Sequence, residues 1–217
     1  MANNIYQDMR IAKDECYTTS AESDKLVKFL LDTKAITLDT KIWLPFDTEF
    51  SRIYLSFKAK GFKNLIRTSL AEGLDFYHYE PEAWDIIISN PPFSGRTHLL
   101  KRLFGFGKPF IILQGTQMFN NQFAINYLCE YDGEISFLLP RTRMKFMTYN
   151  EELDIVQATK SGAAFYSFWL CFKISRGGVF IQLEDSGREK DIEKMDLFGN
   201  VVEESHFNLF NMGGHDE

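Results

Sequence analysis

Trp84-Asp-Ile-Ile-Ile-Ser-Asn90-Pro91-Pro92-Phe93 is an apolar, β-favouring run that ends abruptly in Asn-Pro-Pro-Phe. Three consecutive isoleucines read as a strand buried on both faces, and the prolines stop it because proline has no amide hydrogen for a ladder. The next stretch, Arg96-Thr-His-Leu-Leu-Lys-Arg-Leu-Phe-Gly-Phe-Gly107, has helical spacing. The order is therefore strand, loop, helix. A plain Pro-Pro turn satisfies the same local pattern. The alternative is a functional loop, because ligands of open α/β sheets bind at the carboxyl ends of the strands.

The same rhythm extends in both directions. Short apolar runs at 41–44, 64–68 and 109–114 read as further strands. Helical patterns lie at 96–107, at 120–131, and in the stretch opened by Ser20 as a cap, with Leu26, Phe29 and Leu30 along one face. Continuous apolar strands alternating with helices predict a mostly parallel sheet covered on both faces, the doubly wound α/β arrangement. The runs at 134–140 and 166–175 are expected to pair antiparallel at one sheet edge, with a polar connection between them. Beyond Leu183 the sequence is charged and without period, so residues 1–183 are expected to form one domain and 184–217 an acidic, mobile tail.

With 217 residues and 45 % hydrophobic content, the chain suffices for one substantial core. Cys16, Cys129 and Cys171 are too scattered for a disulfide framework or a zinc site, and the four histidines show no metal-ligand spacing, so no metal is expected. No apolar run matches a signal sequence or a membrane span, which implies a cytoplasmic protein without a membrane partner. A net charge of −6 argues against nucleic acid only until it is divided along the chain. Residues 182–217 hold ten acids against three Lys or Arg, a balance of −7, which leaves the body at +1. That body carries basic groups at Lys58, Lys60 and Lys63, at Arg96, Lys101, Arg102 and Lys108, and at Arg141, Arg143 and Lys145.

Asn90-Pro91-Pro92-Phe93 suits one chemistry well. An aromatic amine is a weak nucleophile because its lone pair is delocalised into the ring, so a catalyst must hold the two N–H groups and aim the lone pair. The Asn90 side-chain oxygen and the Pro91 carbonyl can accept those hydrogens, with Pro92 fixing the backbone. Phe93 can stack on the base, which in a duplex must first be flipped out.

The segment resembles motif IV of amino-methyltransferases that use S-adenosylmethionine (SAM), in particular the adenine-N6 DNA methyltransferases. The resemblance runs from about Asp14 to Lys173 and implies a Rossmann-like class I fold, with a mostly parallel seven-stranded sheet and an antiparallel edge strand. Tyr17-Thr18-Thr19 resembles the N-terminal motif that holds the methionine part of SAM. Pro45-Phe46-Asp47 resembles the family's Asp-Pro-Phe in its Pro-Phe, but lacks the glycines that follow there and let the backbone approach the cofactor. That form is similar to small phage and prophage proteins of this type, which implies a bacterial cell. The acid expected to take the ribose hydroxyls is replaced by Arg67-Thr68-Ser69, with Glu72 nearby as a substitute. Asp75-Phe76 resembles the pair that accepts from the SAM adenine amine and packs on its ring. Arg141, Arg143, Lys145 and Phe146 resemble the later motif that approaches the target base; the plain alternative is an exposed basic turn with Phe146 tucked beneath it.

The resemblance thus implies SAM as cofactor and DNA adenine as substrate, with Asn90, Pro91, Pro92 and Phe93 catalytic. Tyr17, Thr18, Thr19, Pro45, Phe46, Asp47, Asp75 and Phe76 would hold the cofactor. Arg96, Arg141, Arg143, Lys145 and Phe146 would contact substrate. Two other readings stay open: an RNA or protein-glutamine acceptor for the same chemistry, and a methyltransferase fold that has lost SAM and only binds DNA or a protein. No connection leaves room for a target-recognition domain. Lys194–Phe198 and His206–Phe210 resemble the short Leu-Phe peptides that dock on the replication sliding clamp, a partner reading set against a strand folded back on the body.

Overall fold

A computed structural model describes residues 17–92, 94–150, 155–158, 166–174, 180–183 and 194–195. Strand β1 (Tyr17–Thr18) leads into helix α1 (Ser20–Asp32). The helix is capped by Thr19, whose hydroxyl accepts from the Glu22 amide, so the cap lies one residue before the expected Ser20. Strands β2 (Ile42–Pro45), β3 (Leu65–Thr68), β4 (Ile86–Ser89) and β5 (Phe110–Gly115) follow and are mutually parallel. Between them run α2 (Arg52–Ala59) and α3 (Arg96–Gly105), and after them α4 (Gln122–Glu130).

Alternation along each strand builds two layers of core. Ile42 and Leu44 face one side with Ile111 and Leu113; Trp43 faces the other with Phe110 and Ile112. Leu26, Val27 and Leu30 of α1 and Ile53 and Phe57 of α2 cover the first face. Leu99, Leu100, Leu103 and Phe104 of α3 cover the second. Both faces are therefore dry, which is why these strands lack any polar alternation. Trp43 anchors the second layer, with ring centres of Phe76 and Trp84 each 5.4 Å away. Its indole nitrogen donates to Thr68 Oγ1 on β3 at 2.9 Å in a fully buried pair.

The main sheet adds β6 (Ile135–Pro140), β9 (Ser167–Phe172) and β10 (Phe180–Leu183) in the order β10-β6-β9-β5-β4-β2-β3. This is the expected seven-stranded, mostly parallel sheet. The antiparallel pair of runs is present too, with Ile135 opposite Phe172. The reversed strand β9 stands two places in from the edge, between β5 and β6, and β10 takes the edge position.

Two stretches of the chain differ from expectation. Helix α2 shows no long periodic stretch in sequence, and its place rests on Ile53 and Phe57, one turn apart and both buried. The connection read as polar contains β7 (Phe146–Asn150) and β8 (Ile155–Ala158), which pair antiparallel. With β1 and β11 (Lys194–Met195) they form a second sheet in the order β1-β7-β8-β11. The rest of the acidic tail, including both Leu-Phe segments beyond Met195, lies outside the described residues.

Trp43→Phe removes the indole that donates to the buried Thr68 hydroxyl, so the variant is expected to lose about 1–3 kcal/mol of stability. Equilibrium urea unfolding checks this, and an unchanged midpoint would show that Thr68 finds another partner.

Candidate functional site

Order in the sheet fixes where a ligand can enter. From β2 the chain moves outward to β3, then returns to place β4 on the other flank of β2. The carboxyl ends of β2 and β4 therefore bound a switch-point crevice, since the loops leaving them turn to opposite faces. The ladder between these strands covers only Ile42 opposite Ile86 and Trp43 opposite Ile87. Above it a side chain takes over: Ser89 Oγ donates to the Pro45 carbonyl at 2.5 Å, in a buried bond that ties the two loop bases together.

Pro45-Phe46-Asp47 forms one wall. Without a glycine, the turn is made by Phe46 itself, in the left-handed region at φ 68°. An aromatic residue there stores strain, of the sort that collects at functional turns. Phe46 is half-buried, its ring centre 5.0 Å from Phe76. Asp47 is only 7 % exposed. Burial pushes its carboxyl up to about 7, against the opposing pull of the Ser51 hydroxyl bond and the Arg67 charge. Ser51 is the residue before α2, yet its hydroxyl donates to Asp47 Oδ1 and not to any cap. Asp47 Oδ2 is buried with no hydrogen-bond partner among the described residues.

Asn90, Pro91 and Pro92 form the opposite wall. Asn90 is half-buried at the mouth, neither sealed in the core nor fully exposed; Pro91 is buried and Pro92 half-buried. Phe93 lies outside the described residues. Gly95, at φ 70°, then turns the chain into α3. Arg96 opens that helix half-buried, with desolvation holding its pKa below the ordinary value.

The other expected residues divide. Thr18 and Thr19 are buried; Thr19 is used as the α1 cap, and Thr18 Oγ1 is partnerless among the described residues. Tyr17 pairs with Met147 and Thr18 with Phe146, which brings the N-terminal motif beside the basic turn after β6. Arg141, Arg143 and Lys145 on that turn are exposed. Phe146 is not: at 1 % exposure it belongs to the core under α1, so the expectation that it approaches a base is corrected to a packing role. Phe76 is buried beside Trp43. Asp75 accepts from the Tyr77 amide at 3.0 Å and pairs with His78 Nδ1 at 2.8 Å, which holds its pKa below the ordinary carboxylate value. Glu72 is engaged by Arg67 and by Ser69 Oγ.

Two members of the second basic group have structural work. Arg102 donates to the Tyr79 carbonyl and lies over Phe76 and Phe106; Lys108 donates to the Trp84 carbonyl and lies 4.2 Å over its ring. Ser89 and Ser51 were missed from sequence. Ser89 had the signal of a lone polar residue ending an apolar strand. Ser51 had only its i,i+4 spacing from Asp47.

Since the folded-state pKa of Asp47 lies above the ordinary 3.8, the native protein holds this proton more tightly than the unfolded chain. The stability so gained is complete below 3.8 and is lost as pH rises through about 7. Asp47→Asn, which stays neutral, is expected to flatten the fall in melting temperature between about pH 5 and about pH 8. Thermal melts across that range check it, and parallel curves for the two proteins would exclude a buried, raised carboxyl.

No family model matches the sequence, and no curated protein does. Among solved structures, the chain is similar to a SAM-dependent O-methyltransferase from Thermotoga maritima, with 10 % identity and a TM-score of 0.43 over 79 % of this chain and 72 % of that one. It is similar to a proposed RNA methyltransferase from Pyrococcus horikoshii, with 12 % identity and a TM-score of 0.45 over 78 % and 99 %. A type I restriction-modification methyltransferase subunit from Streptococcus thermophilus gives 10 % identity and a TM-score of 0.48 over 94 % of this chain, which spans 55 % of that subunit.

Proposed function

We propose that this protein is a SAM-dependent amino-methyltransferase acting on the N6 amine of adenine in DNA. The observation that carries the reading is the position of Asn90-Pro91 at the switch-point crevice, facing Pro45-Phe46-Asp47 across the Ser89–Pro45 bond. A strand-end Asn-Pro pair elsewhere on the sheet would have no crevice to serve.

The crevice has the character a SAM molecule needs. Asp47 Oδ2 and Thr18 Oγ1 are buried polar atoms without a hydrogen-bond partner among the described residues, and burying such atoms unpaired costs free energy. Phe46, half-buried and packed on the buried Phe76, offers an aromatic surface for a purine. Tyr17, Thr18, Thr19, Pro45, Phe46, Asp47, Asp75 and Phe76 would hold the cofactor, which supplies an electrophilic methyl carbon on a sulfonium. The Asn90 side-chain oxygen and the Pro91 carbonyl then accept the two amine hydrogens, which keeps the lone pair on nitrogen and directs it at that carbon. Bound there, SAM would supply the methyl carbon, with formation of the N–C bond balanced by loss of the C–S bond to sulfur and of the surplus amine proton to solvent. Pro91 and Pro92 stiffen the loop, so the acceptors need no reorganisation at the moment of reaction. Arg96, Arg141, Arg143 and Lys145 would meet the phosphates, and Phe93 the face of the base.

Wild type with labelled SAM and unmethylated DNA is expected to transfer label. Asn90→Ala is expected to lower transfer about 10²- to 10³-fold while SAM still raises the melting temperature, as a ligand must stabilise the state it binds. Loss of the thermal shift in wild type at millimolar SAM would sink the enzyme reading in favour of a binding module. RNA and glutamine-containing peptide in the same assay separate the acceptors.

A further inference from the structure

Tyr77 has no part in the motifs read from sequence, yet it stands between the two walls. Its backbone is fixed by the Asp75 carboxylate, which accepts from its amide at 3.0 Å. Its ring is wedged edge-on against Phe76 at 5.4 Å and Phe46 at 6.5 Å between centres. Its hydroxyl reaches across to the loop after Asn90-Pro-Pro, where it lies 3.7 Å from the position a Cβ would take on Gly95. A Cβ at Gly95 would meet this hydroxyl in ordinary van der Waals contact, and φ 70° strains any residue other than glycine there.

The ring is thus rigidly placed while its polar end is idle. The Tyr77 hydroxyl makes no hydrogen bond among the described residues, although partial burial raises its pKa above the ordinary tyrosine value. With 36 % of the residue exposed, the hydroxyl stands at the rim and not in the core. A preorganised donor beside the amine-holding loop, with no partner among the described residues, is placed to meet something that enters the crevice.

We propose that Tyr77 is an acceptor-positioning residue, whose hydroxyl hydrogen-bonds the polar edge of the substrate ring next to its amine. The inference rests on the amino-methyltransferase reading and adds a contact to the same site. A purine suits it, because a ring nitrogen that accepts a hydrogen bond flanks the exocyclic amine.

Tyr77→Phe keeps the ring between Phe46 and Phe76 and removes only the hydroxyl. Steady-state methylation of an adenine-containing DNA oligonucleotide should show an acceptor KM about three- to tenfold higher, the usual worth of one neutral hydrogen bond. The SAM dissociation constant, by calorimetry, and the melting temperature should stay at wild-type values, which separates an acceptor contact from a packing role. Replacing the ring nitrogens beside the amine by carbon, one at a time, should in one analogue impose the same loss on wild type and no further loss on Tyr77→Phe. An active wild type with unchanged acceptor KM and kcat in Tyr77→Phe overturns the inference alone. A wild type that transfers no methyl group overturns the enzyme reading, and this inference with it.

Discussion

The divergence of β2 and β4 above Trp43 and Ile87 is the constraint on which the site depends. Two parallel strands that keep their ladder to the end leave no room between their loops. Here the ladder stops, and the Ser89 hydroxyl bond to the Pro45 carbonyl holds the loop bases at a fixed separation. Below it, Trp43 locks β2 to β3 through Thr68 and fills the layer toward α3. A crevice with such a floor can be open at the mouth and still rigid, as a site that aligns two reactants requires.

Polar and strained features gather at that one end of the sheet. Phe46 in the left-handed region and Asp47, with its raised carboxyl and an oxygen without a partner among the described residues, both lie just beyond the end of β2. Each is unfavourable for folding taken singly, and together they are tolerated because two dry layers of aromatic and aliphatic packing lie beneath. The second sheet contributes by position: its β1–β7 pairing brings Thr18 against Phe146, so the turn carrying Arg141, Arg143 and Lys145 adjoins the N-terminal motif.

Legibility in the sequence followed burial. Strands β2, β4 and β5 could be read because both faces are covered, which leaves an unbroken apolar run. Helix α2 could not, because eight residues with only two buried apolar positions give too little periodicity. Strands β7 and β8 were hidden in a connection whose polar residues gave no alternating signal, and their pairing is with each other and with β1, far away in the chain. Asn90-Pro91-Pro92 was found because its composition is unusual at a strand end. Ser89, Ser51 and Tyr77 were not, because an isolated hydroxyl carries no sequence signature for a partner distant in the chain or for an empty rim.

By itself, the sequence determined the layered α/β architecture, the order of the parallel strands' elements and the loop that bears Asn90, since local apolar runs and proline act within a few residues. The tertiary structure alone decided that β9 is inserted between β5 and β6, that Phe146 lies in the core, that Phe46 takes the left-handed conformation in its turn, and that burial raises the pKa of Asp47. Those outcomes depend on which surfaces meet and exclude water, and strand order and desolvation are properties of the packed molecule, which no short stretch of residues specifies.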